Sequence, residues 1–316
     1  MQIIRSSSIP KQLCGGSLTI GNFDGVHLGH AAIMERLVAR AEAVGGPAVV
    51  FTFDPHPVRL LRPQQAPPPL TWTDRKAALL AELGVTAMVA FPTTSELLGL
   101  EPDQFFQRIV IDQLDAKAIV EGENFYFGRA RQGNVTLLGE LAKQVGIELD
   151  VVPPSLDQRG EVVSSSRVRE MVAAGDVGDA RELLTRPYRI RGMVTHGAGR
   201  GAQIGFATAN LDAVDTLLPG KGVYSGIGHC DKGTFAAAIN VGPNPTFGED
   251  ALKIEAHLIG FSDSIYGDPL EVDFLTRLRH IQPFNSVDDL KQQLAQDVQN
   301  AAEVAAPFLN DLQGKS

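Results

Sequence analysis

Short apolar runs alternate with longer stretches of helical periodicity along the first part of the chain. The apolar runs have the length of buried strands, and a helical pattern follows each of them. Strands are predicted at residues 18–20, 48–53, 87–91, 118–120 and 148–152. Helices are predicted at residues 30–44, 74–83, 102–114, 135–145, 166–174 and 177–184. This alternation predicts a parallel sheet with helices on both faces, which is a Rossmann-like α/β fold.

The pattern changes near residue 187, where short strands separated by glycines begin. They are predicted at residues 189–195, 222–229, 234–241, 253–259 and 270–278. Such strands are typical of a small antiparallel barrel or sandwich. A final amphipathic helix over residues 286–304 carries Leu290, Leu294 and Val298 on one stripe, which we interpret as core packing. We therefore divide the chain into domains at residues 1–185 and 186–316.

Composition narrows the class of protein. The chain has 316 residues, which is enough for two domains. Its residues are 44% hydrophobic and 21% charged, a composition typical of a soluble globular protein. A net charge of −9 without a basic run argues against a nucleic-acid partner, and no apolar run is long enough to cross a bilayer. Cys14 and Cys230 lack metal-ligand spacing and suit a reducing compartment. We expect a cytoplasmic protein with neither nucleic-acid nor membrane partners.

The stretch GNFDGVHLGH (21–30) follows the first predicted strand of the α/β domain. Ligands of open α/β sheets bind at this edge, where glycines allow close approach and a helix offers N–H groups. His27 and His30 are three residues apart and can face the same way, where they would stabilise charge on a transferring phosphoryl group. The alternative is a turn with surface histidines. The position at the first strand-to-helix turn favours the phosphate site.

A second candidate phosphate site lies at VSSSRVR (163–169). Serines at 164–166 can cap a helix, and capping alone is the structural alternative. Arg167 and Arg169 near a helix N-terminus oppose its dipole unless an anion is present. We favour the binding of a triphosphate.

Two candidate groups occur in the second domain. Thr208 and Asn210 offer hydroxyl and amide oxygens suited to a hard cation, although this motif alone is also typical of a turn. Glu255 and His257 alternate with apolar residues on a predicted strand. A carboxylate there can accept a proton from a hydroxyl that attacks ATP, whereas the strand pattern alone predicts a solvated face.

The motifs of the first domain resemble the adenylyltransferase half of bacterial bifunctional riboflavin kinase/FAD synthetases. They are GNFDGVHLGH, FDPHP (53–57), GENFYFG (122–128) and VSSSRVR, in this order. The resemblance implies that His27 and His30 are catalytic and contact ATP phosphates. It further implies ATP or phosphate contacts for Phe23, Asp24, Ser165 and Arg169, and a flavin contact for Asn124. For His56 of FDPHP, a catalytic role and a loop-locking role remain open.

The second domain resembles the riboflavin kinase module of the same family. The motifs are THGAGRGAQIGFATANL (195–211), GVYSG (222–226), NVGPNPTFG (240–248), EAHL (255–258) and IYG (265–267). The resemblance implies a six-stranded antiparallel Greek-key-type barrel closed by a C-terminal helix. It implies that Thr208 and Asn210 coordinate Mg²⁺ with ATP, that Glu255 is the general base, and that Gly197 and Arg200 contact ATP. Ala202, Ala207 and Ile281 depart from the usual family residues, although no implied catalytic group is lost.

The implied function is two-step flavin cofactor synthesis, with riboflavin, FMN and ATP as the small-molecule substrates. The barrel would phosphorylate riboflavin to FMN, and the α/β domain would adenylylate FMN to FAD with release of pyrophosphate. The expected state is a monomer or a weak homo-oligomer. Two alternatives stay open: a nucleotidylyltransferase acting on a nicotinamide or pantetheine phosphate, and a flavin-binding sensor without turnover.

Overall fold

A six-stranded parallel sheet organises the first half of the computed structural model, which describes residues 1–197, 201, 205–244 and 249–313. The strands of this half are β1 (Gln2–Ile4), β2 (Ser17–Ile20), β3 (Ala48–Asp54), β4 (Ala87–Pro92), β5 (Ala118–Gly122), β6 (Tyr126–Phe127), β7 (Gly133–Asn134) and β8 (Glu148–Val152). The sheet order is β1-β4-β3-β2-β5-β8, and β6 pairs with β7 in a separate hairpin. The parallel sheet predicted from the apolar runs is confirmed.

Helices connect these strands on both faces of the sheet. They are α1 (Leu28–Val44), α2 (Pro57–Leu61), α3 (Thr73–Glu82), α4 (Ser95–Leu98), α5 (Pro102–Phe105) and α6 (Val135–Gln144). Short 3-10 turns lie at Lys11–Leu13, Pro63–Gln65 and Arg129–Arg131. The helix predicted over residues 102–114 continues after α5 as a π-helix, Phe106–Gln113. Its adjacent residues Ile109 and Val110 are both buried in one core.

Separate apolar cores cover the two faces of the sheet. On one face, Met34, Leu37 and Leu80 pack with Val50 and Met88. The opposite core contains Phe51, Val89, Phe105, Ile109 and Leu138. Neighbouring residues of one strand, such as Val50 and Phe51, therefore serve opposite cores, as strand geometry requires.

The chain reverses its direction across the sheet between β2 and β5. The strands that follow β2 add on one side, and those that follow β5 add on the other. Ligands of open α/β sheets bind at the carboxyl ends of such a strand pair. Ser17 and Leu18 of β2 pair with residues of β5. Two residues further along β2, the Ile20 N–H instead donates to Oε1 of the Glu121 side chain at 2.6 Å. The two strands thus separate where the histidine turn begins.

The second half contains a closed antiparallel barrel of six strands. They are β9 (Tyr188–Thr195), β10 (Ala209–Asp212), β11 (Gly222–Cys230), β12 (Gly233–Asn244), β13 (Glu249–Leu258) and β14 (Pro269–Arg279). Their order around the barrel is β10-β13-β12-β11-β14-β9, which confirms the expected six-stranded architecture. The hydrophobic pattern missed β10 because a strand of four residues has too few apolar positions to show a period.

Helices described beside the barrel are α7 (Ser165–Ala174), α8 (Val177–Leu183) and α9 (Val287–Gln313). The last of these extends past the predicted end at residue 304. Its fully buried positions include Ala301 and Ala305, whereas Leu294 and Val298 of the predicted stripe are only half-buried. The buried face of α9 is therefore rotated from the predicted stripe. This face includes Asp297, whose Oδ2 lies 2.8 Å from Nη2 of Arg279 on β14.

The chain divides into two compact units. One comprises Met1–Pro67 with Trp72–Ser164, and the other comprises Pro68–Thr71 with the chain from Ser165 onward. The segment with α7 and α8 groups with the barrel because Arg277 of β14 donates to the Ala174 carbonyl at 2.7 Å and to Asp176 at 2.8 Å. The domain boundary expected between residues 185 and 186 stays a prediction. Within the described ranges, no helix combines the length and apolar character needed to cross a membrane.

Candidate active sites

The turn after β2 has a strained backbone. Phe23 and Val26 have positive φ angles of 45° and 43°, and Gly25 between them has φ of 84°. A positive φ is costly for bulky and β-branched residues, so surrounding structure must enforce it. Phe23 and Val26 are both buried in the core beneath α1. Burial therefore holds the turn in one conformation before any ligand binds.

The two histidines of the turn lie together, as their spacing predicts. His27 caps α1 rather than lying within it, and its Nδ1 accepts the His30 backbone N–H at 3.3 Å. The imidazole rings stack with centroids 3.6 Å apart and planes 19° apart. The edge of Phe23 contacts His30 at a centroid distance of 5.2 Å. Because Nδ1 of His27 accepts, the neutral ring carries its proton on Nε2.

His30 is electrically neutral at ordinary pH. Burial, followed by the charges of His27 and Lys76, holds its pKa well below the usual 6.5. Its Nδ1 is shielded from solvent and has no hydrogen-bond partner among the described residues. The ring can therefore donate or accept hydrogen bonds, but it does not supply a full positive charge.

A lysine missed by the sequence interpretation contacts the same turn. Lys76, in the first part of α3, donates from Nζ to the Asn22 carbonyl at 2.6 Å. Burial lowers its pKa, and the charges of Asp24 and Asp54 oppose that effect. No local signal marks Lys76, because a lysine in an amphipathic helix is typical of a solvated face. Only the packing of α3 brings it to the turn.

The remaining residues predicted for the first site lie in different units. Asn124 is exposed in the turn after β5, at the same sheet edge as the histidine turn. Ser165 begins α7, and Arg169 of this helix donates from Nε to the Pro68 carbonyl at 3.4 Å. Both belong to the unit that contains the barrel. His56 caps α2 by accepting the Val58 N–H at 3.1 Å, a contact that favours loop-locking.

A row of polar residues crosses four neighbouring barrel strands. Asn210 pairs directly with Thr195 on β9 and with Glu255 on β13, and Glu255 pairs with Asn240 on β12. Residues directly opposite in antiparallel pairs share a face. Ala256 beside Glu255 is fully buried in the barrel, so this row lies on the outer surface. The predicted residues Asn210 and Glu255 are thus neighbours, and Asn240 joins a site to which the sequence interpretation did not assign it.

The glycine segment before β10 makes room for the predicted metal ligands. A Cβ at Gly197 would lie 2.2 Å from Nδ2 of Asn210, so the asparagine side chain lies against this glycine. A Cβ at Gly201 would lie 2.4 Å from the Phe206 carbonyl oxygen, and only in ordinary contact, at 3.6 Å, with Oγ1 of Thr208. Hydroxyl and amide oxygens are hard donors, and this pair fits Mg²⁺ bound together with phosphate oxygens.

Ala207 and Ile281, which differ from the usual family residues, contact different strands of the barrel. The Ala207 carbonyl accepts a hydrogen bond from Nδ1 of His257 at 2.7 Å, which ties this segment to β13 without the usual proline. Ile281 packs over Gly242, where a Cβ would lie 2.1 Å from its Cδ1. The predicted ATP contact Arg200 and the departure Ala202 lie outside the described residues.

A doubly wound sheet with a histidine turn at its switch point, followed by a barrel with a row of polar residues, is the architecture expected of a two-domain nucleotide-dependent transferase. The family model for FAD synthetase matches residues 9–167, and that for riboflavin kinase matches residues 184–305. The chain belongs to the bifunctional riboflavin kinase/FMN adenylyltransferase family. It carries an FAD synthetase domain in its N-terminal part and a riboflavin kinase domain in its C-terminal part.

Relatives with this bifunctional description match the chain along most of its length. The protein of Pseudomonas fluorescens is 35% identical over 309 residues, which cover 97% of this chain and 99% of the relative. That of Haemophilus influenzae is 34% identical, covering 95% and 98%. A crystal structure described as a macrolide-efflux protein from Streptococcus pneumoniae superimposes with a TM-score of 0.82 at 30% identity, covering 94% of this chain and 98% of the other.

Proposed function

We propose that the chain makes FAD from riboflavin in two ATP-dependent steps, one in each domain. The barrel transfers the γ-phosphoryl group of ATP to the terminal ribityl hydroxyl, giving FMN and ADP. The α/β domain transfers AMP from a second ATP to FMN and releases pyrophosphate. The observation that carries the proposal is the separate match of both family models, in this order, along one chain.

In the kinase step, Glu255 accepts the proton of the ribityl hydroxyl as its oxygen attacks the γ-phosphorus. Its position directly opposite Asn210 supports this role. Thr208 and Asn210 would hold Mg²⁺, which when bound neutralises charge on the ATP phosphates. Gly197 and Arg200 bind the nucleotide, and Gly197 leaves space for the Asn210 side chain.

In the adenylyl step, an FMN phosphate oxygen attacks the α-phosphorus of ATP in line. The attacking oxygen is already anionic, so positioning and charge neutralisation replace a strong base. His27 and His30 donate hydrogen bonds to the phosphates from their stacked arrangement. The backbone of Phe23 and Asp24 shapes the turn, Ser165 and Arg169 bind the polyphosphate, and Asn124 contacts the flavin. The family resemblance supports these last assignments.

We further propose that the protein is cytoplasmic, that it acts as a monomer or a weak homo-oligomer, and that its cation is Mg²⁺ bound with ATP.

A flavin-binding sensor would bind riboflavin without releasing ADP. An ADP-release assay therefore distinguishes the enzyme from a sensor.

Paired single-site variants test the division of labour. We expect His30→Ala to abolish most FAD formation while FMN still accumulates from riboflavin. We expect Glu255→Gln to abolish FMN formation while FAD is still made from supplied FMN. Chromatography of riboflavin, FMN and FAD over time with ATP and Mg²⁺ provides the measurement. If each variant lost both activities with its fold intact, the proposal of separate sites would be wrong.

A further inference from the structure

Lys76 is a cation held against the histidine turn. Its Nζ donates to the carbonyl of Asn22, the second residue of the GNFDGVHLGH stretch, at 2.6 Å. Burial lowers the pKa of Lys76, and the nearby charges of Asp24 and Asp54 raise it. Two carboxylates therefore favour a charged ammonium in a place where desolvation disfavours one. Burying a charged ammonium costs free energy, and a solvent-exposed lysine does not have this cost.

Two further polar atoms of the same stretch indicate that a ligand binds there. Nδ1 of His30 and Oδ1 of Asn22 are shielded from solvent and have no hydrogen-bond partner among the described residues. Buried polar atoms without partners are rare and costly. Their presence beside a strained turn at the switch point of the sheet is typical of a preformed binding site.

The charges around the turn determine which kind of ligand can bind there. His30 is neutral, and the carboxylates of Asp24 and Asp54 repel an anion. Lys76 is a positive charge that the structure places against this turn, and it lies close enough to His30 to lower the pKa of the imidazole. Without this ammonium, the two carboxylates would repel a polyphosphate on the side of the turn that Lys76 contacts.

We propose that Lys76 is a further catalytic residue of adenylyl transfer, whose ammonium contacts the ATP phosphates beside the His27–His30 pair. An FMN oxygen forms a bond to the α-phosphorus while the bond from that phosphorus to the bridging oxygen breaks, and the electron pair leaves with pyrophosphate. No proton has to move, and Lys76 stabilises the negative charge that builds on the phosphates. The charges of Asp24 and Asp54 favour the ammonium form of Lys76. This role rests on the proposed function of the α/β domain.

The test compares Lys76→Met with Lys76→Arg in the full chain. We expect Lys76→Met to reduce kcat for FAD formation from FMN by about 100-fold, the usual cost of removing one charge-stabilising donor. We expect Lys76→Arg to recover most of this rate, because it restores the charge. Lys143→Met, at an exposed position of α6, serves as the matched control and should behave as wild type. Riboflavin phosphorylation by the same preparations reports that the barrel is intact.

A second measurement separates the charge from a structural effect. We expect the pKa of His30, followed by histidine NMR, to rise in Lys76→Met, since a neighbouring positive charge has been removed. Wild-type kcat in Lys76→Met, or a loss confined to KM for ATP, would overturn the catalytic role. Equal loss in Lys76→Arg and Lys76→Met would also overturn it. If wild-type protein itself made no FAD from FMN, the proposed function would fail instead.

Discussion

Single residues with unusual backbone or close contacts mark both sites. Val26 is β-branched yet has a positive φ of 43°, and the core around it holds this conformation. In the barrel, Gly197 lacks a side chain where Asn210 lies. A strained turn and a tight glycine contact each restrict a side chain that we propose contacts phosphate or metal, and such restriction reduces reorganisation during a reaction.

Gly197→Ala tests the tight contact at the metal ligand. A Cβ there would lie 2.2 Å from Nδ2 of Asn210, so the asparagine side chain must move. We expect riboflavin kinase kcat/KM to fall at least tenfold, whereas FAD formation from FMN is unchanged. Kinetics of both reactions provide the measurement. Gly178→Ala is the control, because its Cβ would make only ordinary contact with Oγ1 of Thr276 at 3.6 Å. Unchanged kinase kinetics in Gly197→Ala would show that Asn210 does not depend on this glycine.

At the scale of elements, the separation of β2 from β5 creates the edge where the first site lies. The Glu121 side chain accepts the Ile20 N–H after the ladder between the two strands has ended. It is only 2% exposed. Burial raises its pKa well above the usual 4.5, partly offset by the hydrogen bond from Ile20. A buried acid thus terminates the pairing of two central strands just before the histidine turn.

Glu121 makes the stability of this element depend on pH. In the unfolded chain the carboxyl ionises near 4.5, whereas in the folded chain it keeps its proton to higher pH. Between these two values the unfolded state binds fewer protons, so the free energy of unfolding falls as pH rises. The slope from one such group is at most about 1.4 kcal/mol per pH unit.

We expect Glu121→Gln to remove this fall, because the amide oxygen still accepts the Ile20 N–H and does not ionise. Urea unfolding of wild type and variant from pH 5 to pH 8 measures the difference. Glu123→Gln, at an exposed position in the next turn, is the control and should keep the wild-type slope. A variant with the wild-type pH dependence would show that Glu121 ionises normally in the folded protein.

At the scale of the whole molecule, each unit contains candidate functional residues. The stacked histidines and Lys76 belong to the unit with the parallel sheet, whereas Asn210 and Glu255 belong to the unit with the barrel. Ser165 and Arg169 belong to the barrel unit by their contacts, although the FAD synthetase model extends to residue 167. The boundary of the FAD synthetase match and the boundary between the compact units therefore do not coincide.

Mixing two inactive-site variants tests the independence of the units. His30→Ala should release FMN made by its intact barrel, and Glu255→Gln should convert that FMN to FAD. We expect the mixture to make FAD from riboflavin and each variant alone to make little FAD. Chromatography of the flavins measures the difference. Absence of FAD from the mixture, with each partial activity retained, would mean that FMN does not pass between chains and that the two sites must act within one molecule.

Much of this architecture could be predicted from local patterns. Buried strands with following helices gave the parallel sheet, and glycine-separated strands gave most of the barrel. The proximity of His27 and His30 followed from their spacing and is confirmed. The four-residue strand β10 and the extra turns of α9 were missed, because short or terminal segments carry little periodic signal. The contacts of Lys76, Glu121 and Asn240 were missed for a different reason: their neighbours lie far away along the chain.

The sequence by itself determined the two domain types, the family and the motif residues, because local periodicity and short motifs are encoded by residues close in the chain. Tertiary structure decided the electrostatics. Burial makes His30 neutral, and the packing of α3 brings the charge of Lys76 to a turn that it follows by about fifty residues. Strand register likewise sets Glu255 opposite Asn210. Charge state and cross-strand distance depend on what surrounds a residue in space, which no local pattern contains.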